Sequence, residues 1–459
     1  MSAGDVHTIV EEGLGNASYL VDLGDGRTLV IDPSRDPQPY LEEARRRGLQ
    51  IAFAAETHLH NDFVSGSIEL MALGATVLAP AEASLEFPHR AMHDGEEIDL
   101  GGLTLRCLAT PGHTPEHLSY VLLDDSRPLA VFTGGALLRG SVGRTDLLGP
   151  DQTEALTRAL YRSVRERLFV LPDDLTVHPT HGAGGSFCAA VPTSEVDPTT
   201  TIGREKGANA LFRSPDEDAF VKLLLGSYSS YPQYFSRLRE VNRKGPRVYG
   251  DVFPGLQALP LAEVRRLRDE GAELIDVRPI EEFAAGHIPG ALSNALRSAF
   301  ATWLGSLVSE DRPLVFVLPE GQDPADVVRQ CLQIGYERLA GELEGGMAAW
   351  RAAGLPEKGL PLVHPDDATG TTLVDVRQRF EFDAGHIPGA WHVELGDFAK
   401  RGVSLPERPL TLHCGHGERS MTAASLLERT GREDISVLLG GPQDWSSTSG
   451  EPLEPSDPE

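Results

Sequence analysis

A cysteine beside two glycines ends a short apolar stretch near the C-terminus of this chain. The stretch reads PLTLHCGHGERS over residues 409–420, so Cys414 follows a predicted strand and precedes a predicted helix over residues 421–431. The two glycines allow the backbone to curl and point several N–H groups at one anion. The positive end of the helix and the Arg419 cation favour a thiolate over a thiol. We therefore predict that Cys414 is a nucleophile. The positions predicted to hold its anionic substrate are Gly415, His416, Gly417, Glu418, Arg419 and Ser420.

A second group of residues with chemical potential lies in the N-terminal half. The string THLHNDF places His58, His60 and Asp62 just after an apolar stretch, where alternate side chains face one side. His113 in TPGHTPEH and His181 in HPTHG each follow another predicted strand. Histidines gathered at strand ends are a common way to build a metal site from distant segments. The alternative, a solvated or structural histidine, fits His7, His89, His93 and His178 better.

The region around Cys414 repeats an earlier part of the chain. Residues 276–291 (DVRPIEEFAAGHIPGA) and 375–390 (DVRQRFEFDAGHIPGA) are almost the same, and each is followed by a new strand and loop. In the first copy that loop is PLVFVLPEGQDP, with Leu318 at the position of the cysteine. Leu318 cannot act as a nucleophile, and Pro319 removes one backbone donor. The duplication indicates one working thiol and one that was lost.

The elements that must position these residues suggest three domains of α/β class. Short apolar strands alternate with helical patterns up to about residue 246, which is typical of a layered fold. The two repeats alternate strand and helix, which predicts parallel sheets with reactive loops at the carboxyl ends of strands. We place the domains at residues 1–248, 255–357 and 360–455.

Composition narrows the classes of partner. The 459 residues carry a net charge of −27, which argues against binding to nucleic acid or an anionic membrane surface. No window holds the roughly 18 apolar residues that a membrane span needs, and the N-terminus shows no signal peptide pattern. Four cysteines in so long a chain favour the reducing cytoplasm. A homo-oligomer stays open.

The C-terminal repeats resemble rhodanese domains. The resemblance is carried by DVR, by EFxAGHIPGA, by the six-residue loop that Cys414 opens and by a terminal GGxxxW. It implies sulfur transfer through a persulfide on Cys414, between small donors and acceptors such as thiosulfate, glutathione persulfide and sulfite. It also implies that the first copy is inactive. We interpret Asp375, Arg377 and His386 as scaffold residues.

The N-terminal part resembles the metallo-β-lactamase αββα fold, whose motif is HxHxDH with a distal His, Asp and His. Two positions depart from it: Phe63 replaces the last histidine of the first motif, and Gly135 in VFTGGALL replaces the aspartate. The string GSVGRTDL over residues 140–147 resembles the persulfide dioxygenase branch, which is fused to tandem rhodanese domains in some members. That family holds one Fe(II) with two histidines and one aspartate, and His58 and His113 match the histidines.

The loss of the aspartate leaves three hypotheses for this site. In the first, His60, Asp62 or His181 replaces it and one Fe(II) or Zn(II) still binds. In the second, the site holds no metal and the domain only binds a thiol persulfide. In the third, a metal serves a hydrolase of glyoxalase II type. We favour a weakened site for one metal ion, beside a Cys414 sulfurtransferase; a non-catalytic persulfide carrier is the remaining alternative.

Other residues receive structural interpretations. We interpret Arg144 and Asp146 as a charge pair that braces the site. Cys188 fits a small buried residue better than a catalytic thiol, and Cys107 and Cys331 fit core positions.

Overall fold

The computed structural model describes residues 3–182, 187–190, 197–368, 370–399 and 403–456. The chain forms two compact units. The first comprises Met1–Pro254 and Leu332–Gly335, and the second comprises Gly255–Cys331 and Tyr336–Glu459. Among the described residues, no helix has the length and apolar character needed to cross a bilayer.

The first unit contains two six-stranded sheets whose strands follow chain order. The first sheet comprises β1 (Val6–Glu11), β2 (Asn16–Asp22), β3 (Arg27–Ile31), β4 (Gln50–Ala55), β5 (Thr76–Pro80) and β6 (Arg90–Met92). The second comprises β7 (Glu97–Asp99), β8 (Leu103–Ala109), β9 (Leu118–Asp124), β10 (Arg127–Gly134), β11 (Thr176–Pro179) and β12 (Thr200–Thr201). Strands β3 to β6 pair in parallel, as do β10 and β11, so several loops leave the carboxyl ends of neighbouring strands.

The first unit also contains helices. They are α1 (Gln38–Arg47), α2 (Ser67–Ala72), α3 (Pro150–Ser163), which continues as a π-helix over Val164–Leu168, α4 (Ile202–Ala208), α5 (Glu217–Leu225) and α6 (Phe235–Lys244). One apolar core lies between the sheets, with Tyr19 from β2 and Phe132 from β10. Tyr40 and Leu70 cover the outer face of the first sheet, and α3 and α5 cover that of the second. The predicted αββα sandwich is confirmed.

The second unit contains two five-stranded parallel sheets with the same order of strands. The first sheet has the order β13 (Ala258–Leu259), β17 (Leu339–Leu343), β16 (Leu314–Val317), β14 (Glu273–Asp276) and β15 (Leu292–Ser293). The second has the order β18 (Leu362–Val363), β22 (Ile435–Leu438), β21 (Leu410–His413), β19 (Thr372–Asp375) and β20 (Trp391–His392). The equal order confirms the duplication and the parallel sheets.

The helices of this unit also alternate with its strands. They are α7 (Leu261–Asp269), α8 (Ile280–Ala285), α9 (Phe300–Leu307), α10 (Ala325–Gln333), α11 (Gly346–Ala352), α12 (Arg379–Ala384), α13 (Glu418–Arg429) and α14 (Pro442–Ser449). The central strand of each sheet, β16 or β21, leads directly into the loop that carries Leu318 or Cys414. The fold therefore presents both loops at the carboxyl edge of a parallel sheet, where ligands of such sheets bind.

Candidate functional site

The Cys414 thiol lies between the end of β21 and the start of α13. Its Sγ atom accepts the Gly417 N–H at 3.1 Å and the Ser420 hydroxyl at 3.6 Å. Cys414 is buried, with 1% of its surface exposed, yet its immediate neighbours are polar donors. Backbone and hydroxyl donors beside a helix N-terminus form a binding site suited to an anion.

The helix after Cys414 starts earlier than the sequence pattern predicts. Helix α13 begins at Glu418 and not at residue 421, so Glu418, Arg419 and Ser420 form its first turn. Gly417 caps this helix with φ of +106°, a conformation that side chains disfavour. A Cβ atom there would also lie 2.7 Å from Cδ1 of Ile280. The glycine thus brings the helix end, where backbone N–H groups lack partners, next to the sulfur.

Arg419 does not present the unshared charge that the sequence suggests. Its guanidinium donates to the Glu381 carboxylate at 2.6 and 2.9 Å, and its Cζ lies 6.0 Å from the centre of the Trp303 ring. Burial disfavours the cation, but Glu381 and Cys414 outweigh it and raise the pKa of Arg419. Of the other predicted loop residues, Gly415 is half-buried and His416 is exposed.

The repeated DVR and AGHIPGA strings form matching scaffolds in the two copies. Arg377 bonds Asp375 and the Gly385 carbonyl, as Arg278 bonds Asp276 and the Gly286 carbonyl. His386 stacks on Phe382, and His287 on Phe283, each with 3.8 Å between ring centres. These contacts support a scaffold role for Asp375, Arg377 and His386.

The first copy keeps a cavity where the second has its thiol loop. This cavity of about 650 Å³ is lined by Leu318 and Pro319, together with several charged side chains. The charged residues are Glu282, Glu320, Glu342, Glu344, Arg278 and Arg351. Four carboxylates against two guanidiniums make the cavity a poor binding site for an anion.

Three histidines of the first unit converge on one point. His58 follows β4, His113 follows β8 and His181 follows β11, and all three are buried. Their ring centres lie 4.8–5.2 Å apart. The Nε2 atoms of His58 and His181 are 3.2 Å apart. Such a group of imidazole nitrogens can share one metal ion.

The outer nitrogen of each of these rings is held by a neighbour. His58 Nδ1 lies 2.8 Å from Thr57 Oγ1, His113 Nδ1 lies 2.7 Å from the Arg144 carbonyl, and His181 Nδ1 lies 3.1 Å from Asn16 Oδ1. Contacts of this kind orient metal-binding histidines. The inner Nε2 of His113 has no hydrogen-bond partner among the described residues.

Burial keeps two of these rings in the neutral form that binds metals. It lowers the pKa of His113 to about 3. The pKa of His58 is lowered well below its usual value, by burial and by the neighbouring histidines.

His60 and Asp62, two of the predicted ligands, serve as partners of other residues. His60 Nε2 lies 3.1 Å from Glu56 and 3.4 Å from Asp32. Burial opposes charge on this ring, but the two carboxylates outweigh it and raise the pKa of His60 to about 10. The Asp62 carboxylate lies 3.2 Å from His181 Nδ1, on the outer side of that ring. Ligand atoms of His58, His60 and His181 lie within 4.8 Å of one another. A protonated His60 nevertheless has no free nitrogen lone pair with which to bind a metal ion.

The surroundings of Gly135 leave no space for a side chain. A Cβ atom on Gly135 would lie 2.2 Å from Cδ2 of His113. The Gly135 N–H instead donates at 3.0 Å to Nε2 of His117, a buried histidine that stacks on His58 and that the sequence analysis missed. His117 is the second histidine of TPGHTPEH, and this repeated histidine could have indicated that it lies near the site. The residues present therefore do not fit an iron site of two histidines and one aspartate. The candidate histidines instead meet at His181, whose ligand atoms lie within 4.8 Å of those of His58 and of those of His113.

Arg144, Asp146 and Cys188 surround this group. Arg144 bonds Asp146 at 2.7 and 2.8 Å, which confirms the predicted pair, and its Cζ lies 4.5 Å from the centre of the Tyr231 ring. Cys188 is buried, and its sulfur lies within 4.8 Å of the ligand atoms of His113 and His181.

Comparisons with known proteins agree with this architecture. The family described as Rhodanese-like domain matches residues 261–353 and 362–448, and the Metallo-beta-lactamase superfamily matches residues 12–181. The metallo-beta-lactamase from Staphylococcus aureus subsp. aureus COL has a TM-score of 0.63 at 27% identity, covering 74% of this chain and 98% of that one. The class is thus a metallo-β-lactamase fold joined to two rhodanese-like domains.

Two relatives are similar to the N-terminal part of the chain. Human persulfide dioxygenase ETHE1, mitochondrial, is 32% identical over 198 residues, 41% of this chain and 73% of that protein. Hydroxyacylglutathione hydrolase of Rhodopseudomonas palustris (strain BisB18) is 30% identical over 254 residues, 50% of this chain and 94% of that protein. The chain belongs to the metallo-β-lactamase superfamily, with homology to persulfide dioxygenase ETHE1 in its N-terminal part and two rhodanese-like domains after it. Together these parts support a sulfur-handling protein.

Proposed function

We propose that the protein is a rhodanese-type sulfurtransferase that acts through a persulfide on Cys414. The observation that carries the proposal is the Gly417 N–H bond to Cys414 Sγ at the start of α13. In the first half-reaction, the Cys414 thiolate attacks the outer sulfur of thiosulfate. A new S–S bond forms, the old one breaks, and sulfite leaves with the electron pair. In the second, a thiolate, sulfite or cyanide attacks the outer sulfur, and the Cys414 thiolate is the leaving group.

The residues around the thiol stabilise charge in both half-reactions. The Gly417 N–H and the Ser420 hydroxyl donate hydrogen bonds to the sulfur. The partial positive charge at the start of α13 adds to their effect. Arg419, fixed by Glu381, adds positive charge beside the loop. Preorganised donors of this kind need no rearrangement while the charge moves between atoms.

Steady-state transfer from thiosulfate to cyanide tests this proposal. We expect Cys414→Ser to lower the rate by more than about 1000-fold, the scale expected for loss of a nucleophile. Cys331→Ser, which changes a buried thiol of the first copy, is the control and should keep the wild-type rate. Transfer that survives Cys414→Ser would contradict the proposal. A persulfide that forms once but does not turn over would favour a carrier.

We also propose that the first unit binds one metal ion through His58, His113 and His181. The convergence of their inner nitrogens and the unpartnered Nε2 of His113 support it. A bound Fe(II) or Zn(II) would act as a Lewis acid there. Because the aspartate of the iron family is absent, we assign no dioxygenase or hydrolase step.

Metal analysis of the purified full chain tests this second proposal. We expect about one Zn or Fe per chain, lost in His113→Ala and kept in His93→Ala, which changes an exposed histidine. Wild-type protein that holds neither metal, even after exposure to both, would contradict it. Oxygen uptake with glutathione persulfide then tests whether the site supports a dioxygenase reaction.

A further inference from the structure

We propose that Cys188 supplies the fourth ligand of this metal centre, which is then a site of three histidines and one thiolate that prefers Zn(II). The inference rests on the proposed binding of a metal by His58, His113 and His181. It adds two points to that proposal: Cys188 is the anionic ligand in place of the missing aspartate, and the metal is Zn(II).

The candidate ligand atoms form two groups of three that share His181. Those of His113, His181 and Cys188 lie within 4.8 Å of one another, and in the other group the Nε2 atoms of His58 and His181 are 3.2 Å apart. Zn–N bonds of about 2.0–2.1 Å and Zn–S bonds of about 2.3 Å place tetrahedral ligand atoms about 3.3–3.6 Å apart. Binding of zinc would therefore draw the four proposed donors closer together around one ion.

The backbone of Arg144 fixes Cys188 and His113 relative to each other. The Arg144 N–H donates to the Cys188 carbonyl at 2.9 Å, and the Arg144 carbonyl lies 2.7 Å from His113 Nδ1. Two further backbone contacts join the same segments, between Ala190 and Val142 and between Ala189 and Gly143. One residue thus orients both candidate ligands from outside the site, as supporting residues of metal centres do.

A thiolate ligand would also balance part of the ion's charge. Imidazole ligands alone leave a divalent ion without an anionic donor. In this structure the Cys188 thiol bonds the Asp62 carboxylate, so binding of the ion would release the thiol proton. Asp62 is directed at the outer nitrogen of His181, and position 135 has no side chain. Among the described residues, Cys188 is the anionic candidate whose ligand atom groups with those of His113 and His181. Imidazole with thiolate is a donor set that selects zinc.

This assignment has a consequence for reactivity. Four protein donors complete the tetrahedral shell of zinc, whereas catalytic zinc sites keep one position for water or substrate. A centre with all four bound therefore admits oxygen or substrate only when one protein ligand leaves.

Spectroscopy of the full chain tests the thiolate ligand without an activity assay. All proteins carry Cys414→Ser, so that the rhodanese thiol cannot contribute. With Co(II), we expect a thiolate-to-cobalt absorption band in the near ultraviolet and the strong visible bands of a tetrahedral ion. With Zn(II), X-ray absorption should show one sulfur at about 2.3 Å and nitrogens at about 2.0–2.1 Å.

Two further variants separate the outcomes. Cys188→Ser should lose the thiolate band and bind Co(II) at least about tenfold more weakly, while keeping its circular dichroism. Cys107→Ser, a buried control in β8, should keep the band. One zinc with only nitrogen and oxygen neighbours would overturn the Cys188 assignment and leave the histidine site intact. Absence of bound metal in every variant, the parent included, would overturn the histidine site and this inference with it.

Discussion

Beside Cys414, the charge of Arg419 is shared with a carboxylate. The Arg419–Glu381 pair lies in a half-buried position, where a charge acts more strongly than it does in water. The pair therefore holds the Arg419 guanidinium beside the Cys414 loop, and it also fixes the first turn of α13.

Replacing this cation tests its effect. We expect Arg419→Ala to slow transfer from thiosulfate to cyanide by on the order of tenfold or more, because a positive charge beside the reacting sulfur is lost. The measurement is the steady-state rate at a single pH. Arg429→Ala, on the same helix but paired with Glu273, should keep the wild-type rate. An equal rate in Arg419→Ala and the wild type would contradict the account.

His413, the residue before Cys414, makes the second unit sensitive to acid. It is fully buried, and its Nε2 lies 4.0 Å from Asp375. Burial lowers the pKa of His413 to about 4, although Asp375 opposes this. The unfolded chain, with a histidine pKa of about 6.5, binds more protons between those values. Stability from this group is thus complete above pH 6.5 and is lost as the pH falls towards 4.

Urea unfolding at pH 7 and pH 5 measures this loss. We expect the free energy of unfolding to fall by about 2 kcal/mol from this residue alone. Tryptophan fluorescence reports the second unit selectively, because all four tryptophans lie in it. His413→Gln should remove that part of the pH dependence. An equal pH dependence in the variant would show that His413 is not responsible.

At the scale of elements, the turn from β21 into α13 creates the thiol site. The strand ends at His413, the helix begins at Glu418, and four residues join them. Gly417 takes the left-handed conformation that this short connection needs, and its N–H is the donor to sulfur.

Gly417→Ala tests the turn. We expect a strain cost of about 1–3 kcal/mol at positive φ, together with the clash against Ile280. Sulfur transfer should fall by about 100-fold, because the strained turn shifts and its N–H no longer points at the sulfur. Gly431→Ala is the control, because it has φ of +88° but open space around its Cα. Equal activity in both variants would contradict the role of the turn.

The sequence predicts features that depend on neighbouring residues better than contacts between residues far apart in the chain. The Cys414 loop, the repeats and the convergence of His58, His113 and His181 follow from local patterns and strand ends. The Arg419–Glu381 pair joins residues 38 positions apart, and no local pattern shows it. The early start of α13 depends on the conformation of Gly417. Cys188 is buried, as the sequence predicted, but its position beside His113 depends on the backbone of Arg144, which no local pattern shows.

At the scale of the whole molecule, one fold occurs twice, once with a cysteine at the head of its loop and once without. The two sheets of the second unit have the same strand order and the same Asp–Arg scaffold. They differ at Leu318 and Cys414, and the first copy surrounds its loop with carboxylates. The scaffold is therefore the same in both copies although the loops differ.

The thiol and the metal candidates belong to different compact units. Cys414 is held by donors of its own loop, so its chemistry does not depend on the histidine site. We expect removal of metal with a chelator to leave transfer from thiosulfate to cyanide unchanged, while metal analysis confirms the loss. A proportional fall in both, restored by added metal, would contradict this independence.

The most direct test of the account is the mass of the Cys414 peptide after one exposure of the full chain to thiosulfate. We predict one additional sulfur atom on that peptide, released as thiocyanate when cyanide is added, and none on the peptides of Cys107, Cys188 or Cys331. An unmodified Cys414 peptide under conditions in which sulfite is nevertheless produced would contradict the central claim.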